Sequence, residues 1–370
     1  MPLAEQRGGG ELTLVHLMQQ ERDGGVEWLV IFFEDGPMVA QIQAFGVETL
    51  VIKTGRAREA GRFLGAVAQI ARQTRRYQAD LIVSWMGLAH FYGSFAGMLT
   101  HTPSVWYQQG MPNPSDPIDR LLTRLPSLGI LTVSKSGQEA QAKLPPPRPT
   151  LLVSPGVELE RFDPESLPTP EEARRKLALP EHGPLIGIVG RLQRWKGVHV
   201  LIEAMPAVLQ VHPDAHCIVV GGVHDLEPDY PAYLRKRISA LNLQNTVIEA
   251  GLQHNVPEWM QAFDIVVHAS DREPFGLVVI EAMALGKPTI AGDDGGPREI
   301  ITHGRNGLLT PYGDSPALAC AILKYLADPA WAADVGAAAR TRAQEFSTQK
   351  YAQNLIAALR TLLPGVTGIQ

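Results

Sequence analysis

Glu273 and Glu281 stand eight positions apart, separated first by the turn Pro274-Phe275-Gly276. The run goes on as Leu277-Val-Val-Ile-Glu281-Ala-Met-Ala-Leu-Gly286, and its apolar spacing predicts a helix beginning near Leu277. Carboxylates in such positions can accept hydrogen bonds from sugar-type hydroxyls. The first turn of the helix offers unpaired N–H groups to an anion. Gly276 permits close backbone approach. An isolated glutamate pair is better explained by a capped core helix with one solvated carboxylate. A hydrolytic acid and base pair would also use two carboxylates, but nothing else in the sequence supports it.

A second segment, Ile188-Val-Gly190-Arg191-Leu-Gln-Arg194-Trp-Lys196-Gly197, reads as a strand ending at Gly190 and followed by cations. In open α/β sheets, ligands sit at the carboxyl ends of strands. Arg191 offers a planar fork and Lys196 a point charge, which together suit a diphosphate. Arg194 reads as solvated. A third segment, Asp293-Asp-Gly295-Gly296-Pro-Arg-Glu299, takes a strand through a Gly-Gly turn into a helix. Its glycines could admit a ligand against the backbone, or simply make the turn tight.

Short Val- and Ile-rich runs position these segments. In the first part they are Trp28–Phe33, Thr49–Ile52, Leu81–Ser84, Ser104–Tyr107, Gly129–Val133 and Thr150–Val153. In the second they are Leu185–Val189, His216–Val220, Thr246–Ala250, Ile265–His268, Pro288–Ala291 and Gly307–Leu309. Helical patterns lie between, among them Gly55–Tyr77, Gly197–Gln210, Tyr230–Leu241 and Leu277–Leu285. This alternation predicts two doubly wound α/β domains. The expected division is a first domain over 1–157, a linker over 158–181 and a second domain over 182–345. A terminal helix follows within 346–370, free to return to the first domain. Leu144-Pro-Pro-Pro-Arg-Pro149 reads as a surface turn. A doubly wound domain normally opens strand, Gly-rich turn, helix. Gly8-Gly9-Gly10 and a helix over Glu11–Glu21 are present, but residues 1–7 hold no strand-like run. Either the chain starts late or the domain lacks its first strand.

Together the three segments resemble the retaining glycosyltransferases of glycosyltransferase family 4, which have the GT-B fold. The order Gly-Arg-Leu…Lys-Gly, Glu-x7-Glu, Gly-Gly carries the resemblance from Leu185 to Leu309. Phe33-Glu-Asp-Gly-Pro37, Trp106-Tyr-Gln-Gln-Gly110 and Ser154-Pro-Gly-Val157 also look like the family. The resemblance implies two Rossmann-like domains facing a central cleft and retaining transfer of a sugar from a nucleoside diphosphate sugar to a hydroxyl acceptor. That acceptor would be a carbohydrate, a lipid-linked molecule or another alcohol, in glycan, polysaccharide or glycolipid synthesis. By the same analogy Arg191 and Lys196 neutralise the departing diphosphate, and Glu281 binds the ribose. Glu273, Pro274, Phe275, Gly276 and Leu277 hold sugar hydroxyls and phosphate. Gly190 and Gln253 line the donor, and Glu273, Arg191 and Lys196 form the catalytic set. No cofactor and no metal are expected, because fixed cations replace the metal. On the acceptor side the candidates are Gly9, Gly10, His90 and Gln109, with a helix-capping or packing role explaining His90 about as well. Many relatives carry His where Gln108-Gln109 stands, and Gln109 cannot carry charge. A non-catalytic GT-B-like subunit with a degenerate acceptor half is the alternative.

Composition sets the frame. The chain has 370 residues, 45% hydrophobic and 19% charged, with a net charge of −5. It therefore reads as globular, with no nucleic-acid signature. The first 150 residues carry 14 Lys+Arg against 13 Asp+Glu, a net of +1, and the remainder 19 against 25, a net of −6. Cys217 and Cys320 are too few and too far apart for a disulfide scaffold or zinc cluster, and both read as buried thiols. His212 and His216 flank Pro213 and form no helical metal pair. His199 and His303 read as surface residues. With no apolar leader core and no membrane span, a cytoplasmic protein is expected. Lys53–Arg76 holds seven basic residues and one acid. A helix there puts Arg62, Arg72, Arg75 and Arg76 on one face and Phe63, Leu64, Val67, Ile70 and Ala71 on the other. A solvated face over a core is the simpler explanation. The alternative is peripheral contact with the anionic inner face of a membrane.

Overall fold

The computed structural model describes residues 1–5, 8–21, 25–54 and 60–363. The chain forms two compact units, Met1–Gly156 with Thr348–Gln370, and Val157–Ser347.

The first unit runs α1 (Gly9–Gln20), β1 (Leu29–Phe32), α2 (Pro37–Gln43), β2 (Glu48–Val51), α3 (Ala60–Arg76) and β3 (Ile82–Trp85). It continues with α4 (Met86–Thr100), β4 (Ser104–Gln108), α5 (Pro117–Arg124), β5 (Gly129–Thr132), α6 (Lys135–Ala142) and β6 (Thr150–Leu152). All its strand pairs are parallel, in two sheets: β1-β2 and β3-β4-β5-β6. Every residue of β4 and β5 is buried, which is why both read as unbroken apolar runs.

The second unit runs α7 (Pro170–Lys176), β7 (Leu185–Val189), α8 (Val198–Val211), β8 (His216–Val220), α9 (Tyr230–Ala240) and β9 (Val247–Gly251). Then come α10 (Val256–Ala262), β10 (Ile265–His268), α11 (Leu277–Ala284), β11 (Thr289–Gly292), α12 (Pro297–Ile300), β12 (Leu308–Thr310), α13 (Ser315–Ala327) and α14 (Pro329–Ala343). Its six parallel strands are ordered β12-β11-β10-β7-β8-β9. Ile186, Ile188, Val219, Val267 and Ile290 from these strands pack with Val198, Leu201 and Met205 of α8. The last helix, α15 (Thr348–Leu362), belongs to the first unit.

Several expectations change. The stretch 158–181 is part of the second unit and contains α7. Thr169 and Glu172 close a capping box there, and Pro170 occupies the first turn, where its missing N–H costs nothing. The Arg174 guanidinium then fixes α7 to Asp264 at 2.6 Å. Gly9 and Gly10 lie inside the first turn of α1 rather than in a loop ahead of it. Leu64, assigned to the apolar face of α3, is 63% exposed. Cys320 is exposed, and only Cys217 is buried. Part of the expected Gly55–Tyr77 helix, residues 55–59, lies outside the described residues. No helix among those described is long and apolar enough to cross a membrane.

Candidate functional site

In the second unit the chain winds outward from β7 to β9, then returns to place β10 on the opposite side of β7. The carboxyl ends of β7 and β10 therefore flank the topological switch point, where α/β sheets bind ligands. The loops leaving these two strands are locked together. Gly197 has φ +71, and a Cβ on it would lie 2.0 Å from the Ala269 carbonyl oxygen. The Asp271 N–H donates to the Trp195 carbonyl at 2.7 Å.

This lock brings three side chains together. Lys196 Nζ lies 2.6 Å from Glu273 Oε2, and His268 Nε2 lies 3.1 Å from the same oxygen. Ser270 Oγ is 3.2 Å from His268 Nε2. The Lys196 ammonium also stands 4.1 Å from the Trp195 ring centroid. Burial by itself would raise the Glu273 pKa. The Lys196 charge and the His268 hydrogen bond outweigh it and hold the carboxyl well below the usual carboxylate range. Glu273 is thus ionised at neutral pH. It can accept hydrogen bonds and stabilise positive charge, but it has no proton to give.

Gly190 and Arg191 follow β7 directly, and both are half-buried. Arg191 makes no ion pair among the described residues. Arg194, by contrast, is spent on structure. It pairs with Glu227 and Asp229 and covers the Tyr230 and Tyr233 rings. Gly276 (φ +104) caps α11 and its carbonyl takes the Val279 and Ile280 N–H groups, so those of Leu277 and Val278 have no acceptor within the helix. Pro274 shapes the turn, and Phe275 is buried against Phe346.

The Gly295-Gly296 turn has a different use from admitting a ligand. A Cβ on Gly295 would lie 2.1 Å from the Glu273 carbonyl oxygen, and one on Gly296 2.2 Å from that of Phe275. The Gly296 N–H donates to the Glu273 carbonyl at 2.8 Å. The glycines clear room for the 273–275 backbone and so aim the Glu273 side chain.

Glu281 lies on α11, and burial pushes its carboxyl up to about 7, with Arg161 opposing and Glu158 adding to the rise. Gln253, in the loop after β9, donates its side-chain amide to Ala250 O at 2.7 Å. No group of three or more His, Cys, Asp or Glu side chains among the described residues could hold a metal ion.

In the first unit the candidates separate. Gly10 packs against Gln109, and its carbonyl accepts from Trp85 Nε1 at 2.9 Å. Gly9, beside it, is exposed. His90 is a core residue, not a binding one. It is 1% exposed, stacks on Trp106, and has Nε2 3.2 Å from Leu122 O and Nδ1 3.1 Å from Ser94 Oγ. Burial lowers its pKa to about 4. His199 is half-buried against Tyr230 Oη at 2.8 Å. His268 was missed from sequence. Its only signal was its place as the last residue of a strand whose following loop carries Glu273.

Residues 170–342 match the family model described as glycosyl transferases group 1. The D-inositol 3-phosphate glycosyltransferase of Corynebacterium urealyticum is 33% identical over 217 residues, 57% of this chain and 51% of that protein. The lipopolysaccharide core biosynthesis mannosyltransferase LpsB of Rhizobium meliloti is 29% identical over 219 residues, 58% of this chain and 62% of that protein. The match thus spans less than two thirds of either curated relative. The crystal structure of Anabaena Alr3699/HepE in complex with UDP and glucose superposes with a TM-score of 0.87 at 27% identity, covering 98% of each chain. The fold is GT-B: two Rossmann-like α/β halves with parallel sheets.

Proposed function

We propose that this protein is a retaining, metal-independent glycosyltransferase that moves a sugar from a nucleoside diphosphate sugar to a hydroxyl acceptor. The observation that carries this is the Lys196–Glu273 pair at the β7–β10 switch point, beside an Arg191 that has no ion pair among the described residues. The likeness to a structure holding UDP and glucose supports a nucleotide-sugar donor. In the reaction the bond from the anomeric carbon to the diphosphate oxygen breaks, and its electron pair leaves with the diphosphate. Arg191 and Lys196 stabilise that anion, together with the N–H groups of Leu277 and Val278 at the start of α11. The acceptor oxygen bonds to the anomeric carbon on the same face, and its proton passes to the departing phosphate oxygen. Glu273 accepts hydrogen bonds from the sugar hydroxyls and holds Lys196 in place. Glu281 accepts from the ribose hydroxyls, and Gln253 lies beside the base. Gly9, Gly10 and Gln109 are the acceptor-side candidates that remain.

The reading extends to place. We put the activity in the cytoplasm, where an exposed thiol such as Cys320 stays reduced. Peripheral contact with an anionic inner membrane face is supported by α3, whose exposed surface carries Arg62, Leu64, Arg72, Arg75 and Arg76. The deciding experiment incubates the protein with UDP-, GDP- and ADP-sugars and follows release of nucleoside diphosphate and thermal shift. One donor should be turned over and should stabilise the protein. No turnover and no shift with any of them would leave the non-catalytic alternative standing.

A further inference from the structure

Three side chains meet at Glu273 Oε2, and they are not equally free to move. Lys196 comes from the loop after β7, and Glu273 from the loop after β10. His268 is the last residue of β10 itself. That strand lies between β7 and β11, with His268 in register with Ala291 of β11. The His268 side chain is 3% exposed. A strand end inside a sheet fixes a ring more firmly than a loop holds a lysine or a glutamate.

The chemistry of the contact fixes which nitrogen carries the proton. An ionised carboxylate only accepts hydrogen bonds, so His268 Nε2 is protonated and donates to Glu273 at 3.1 Å. Ser270 Oγ, 3.2 Å from the same nitrogen, shares that N–H as a second acceptor. Nδ1 is buried with no hydrogen-bond partner among the described residues. Ile265, Val266 and Val267 precede it in the strand, all buried, and a fourth apolar side chain would leave no polar atom unmet. A histidine kept there is better explained by its Nε2–H than by packing. Lys196, in turn, is a poor lasting support for Glu273, because its ammonium is one of the two cations assigned to the departing diphosphate. As negative charge builds on that group, the ammonium is drawn toward it and its hold on Glu273 weakens. Among the described residues, His268 is then the remaining side-chain donor to that oxygen.

We propose that His268 is a positioning residue, whose Nε2–H keeps the Glu273 carboxylate aimed at the donor's sugar hydroxyls while Lys196 turns to the diphosphate. It touches neither substrate nor the reacting atoms, and acts through Glu273. This role rests on the proposed function, because it needs a sugar beside Glu273 and a diphosphate beside Lys196.

The test measures release of nucleoside diphosphate from UDP-glucose, GDP-mannose and ADP-glucose, and calorimetric affinity for UDP, GDP and ADP. The parent is compared with three variants. His268→Gln has an amide N–H that reaches the place of Nε2, His268→Asn has one that reaches only the place of Nδ1, and His268→Leu has none. His268→Leu and His268→Asn should lower kcat on the order of 10²-fold, with affinity for the nucleoside diphosphate within about threefold of the parent. His268→Gln should recover most of the lost turnover. Thermal melts check that each variant folds, and if His268→Leu does not, His268→Gln against His268→Asn decides. Equal turnover by His268→Gln and the variants without the Nε2-like donor would overturn the proposal, because that N–H would then not matter. So would a fall in nucleoside diphosphate affinity parallel to the fall in kcat, which marks general damage to the site. A parent that neither binds nor turns over any of the six compounds would overturn the proposed function, and the role of His268 with it. An active parent matched by all three variants would overturn the role of His268 alone.

Discussion

Lys196 and Glu273 are 77 positions apart in the chain, yet the ammonium and carboxylate meet at 2.6 Å where β7 and β10 run side by side. Both side chains are largely buried, at 15% and 12% exposure. Without Glu273 the Lys196 ammonium would have no ion-pair partner among the described residues, and without Lys196 the carboxylate would keep only His268. A pair retained at that cost is more simply explained by use than by stability.

The pair makes the first prediction. Lys196→Ala should weaken donor binding strongly and lower kcat/KM by about 10²–10³. It should also destabilise the fold by about 2–4 kcal/mol, because the buried Glu273 then keeps only its His268 contact. Lys196→Met combined with Glu273→Gln removes both charges. Thermal melts should recover most of the lost stability, while kinetics should show no recovered activity. Donor affinity unchanged by Lys196→Ala, measured by calorimetry, would remove Lys196 from the donor site.

Glu281 makes a pH-dependent prediction. Ribose hydroxyls donate to an ionised carboxylate, and in the free protein this carboxyl titrates near 7. Nucleotide affinity should therefore be full above pH 7 and fall as the pH drops below it, by up to tenfold per unit. Glu281→Ala should bind weakly at every pH, and Glu281→Gln should lose the pH dependence. Stability moves the opposite way. The folded protein holds this proton up to about pH 7 and the unfolded chain only to about 4.5, so the contribution falls as pH rises through that window. At pH 8 Glu281→Gln should be more stable than the parent by on the order of 1–3 kcal/mol. Isothermal titration at pH 6, 7 and 8 and melts at pH 8 check both halves.

The two glycines of the 295–296 turn can be separated from ordinary backbone strain. Gly295 (φ +63) and Gly286 (φ +69) hold similar left-handed conformations, but only Gly295 would clash, with the Glu273 carbonyl. Gly286→Ala should cost about 1 kcal/mol and leave catalysis alone. Gly295→Ala should cost roughly 2–4 kcal/mol and also lower kcat, because the loop carrying Glu273 must move. Equal effects of the two substitutions on kcat would show that the turn does not aim Glu273.

Much of this was legible in the sequence, for stated reasons. Buried parallel strands leave Val- and Ile-rich runs, so each of the twelve strands among the described residues overlaps an expected one. The residues proposed for the donor stand out in the sequence because a strand end, a cation and a helix start follow one another locally. What was not legible depends on contacts between distant residues. Nothing near Lys196 says that its partner is Glu273, and His268 looks like any strand residue until β10 lies beside β7. Gly295-Gly296 showed that something must come close, but not that it would be the backbone of Phe275. His90 looked available because its stacking partner, Trp106, is on another element. The Thr169–Glu172 capping box was present in the sequence and was obscured by flanking prolines.

The outer surface of α3 carries the last prediction. Phe63, Val67, Ile70 and Ala71 pack inward, whereas Leu64 is exposed, as are Arg62, Arg72, Arg75 and Arg76. Arg75 reaches the Leu99 carbonyl, and Met98 and Leu99 are themselves 55% and 53% exposed. Guanidinium groups next to exposed apolar side chains suit the headgroup boundary of an anionic bilayer. Sedimentation with vesicles containing phosphatidylglycerol should show binding at low salt that weakens as salt rises, and vesicles of phosphatidylcholine alone should bind little. Each arginine near such a surface contributes about 1 kcal/mol, so Arg72→Ala with Arg76→Ala should weaken binding roughly 30-fold. Turnover of a water-soluble acceptor should be unchanged by that pair of substitutions, because neither residue belongs to the donor site. No binding to the anionic vesicles at low salt would reduce α3 to a solvated helix face.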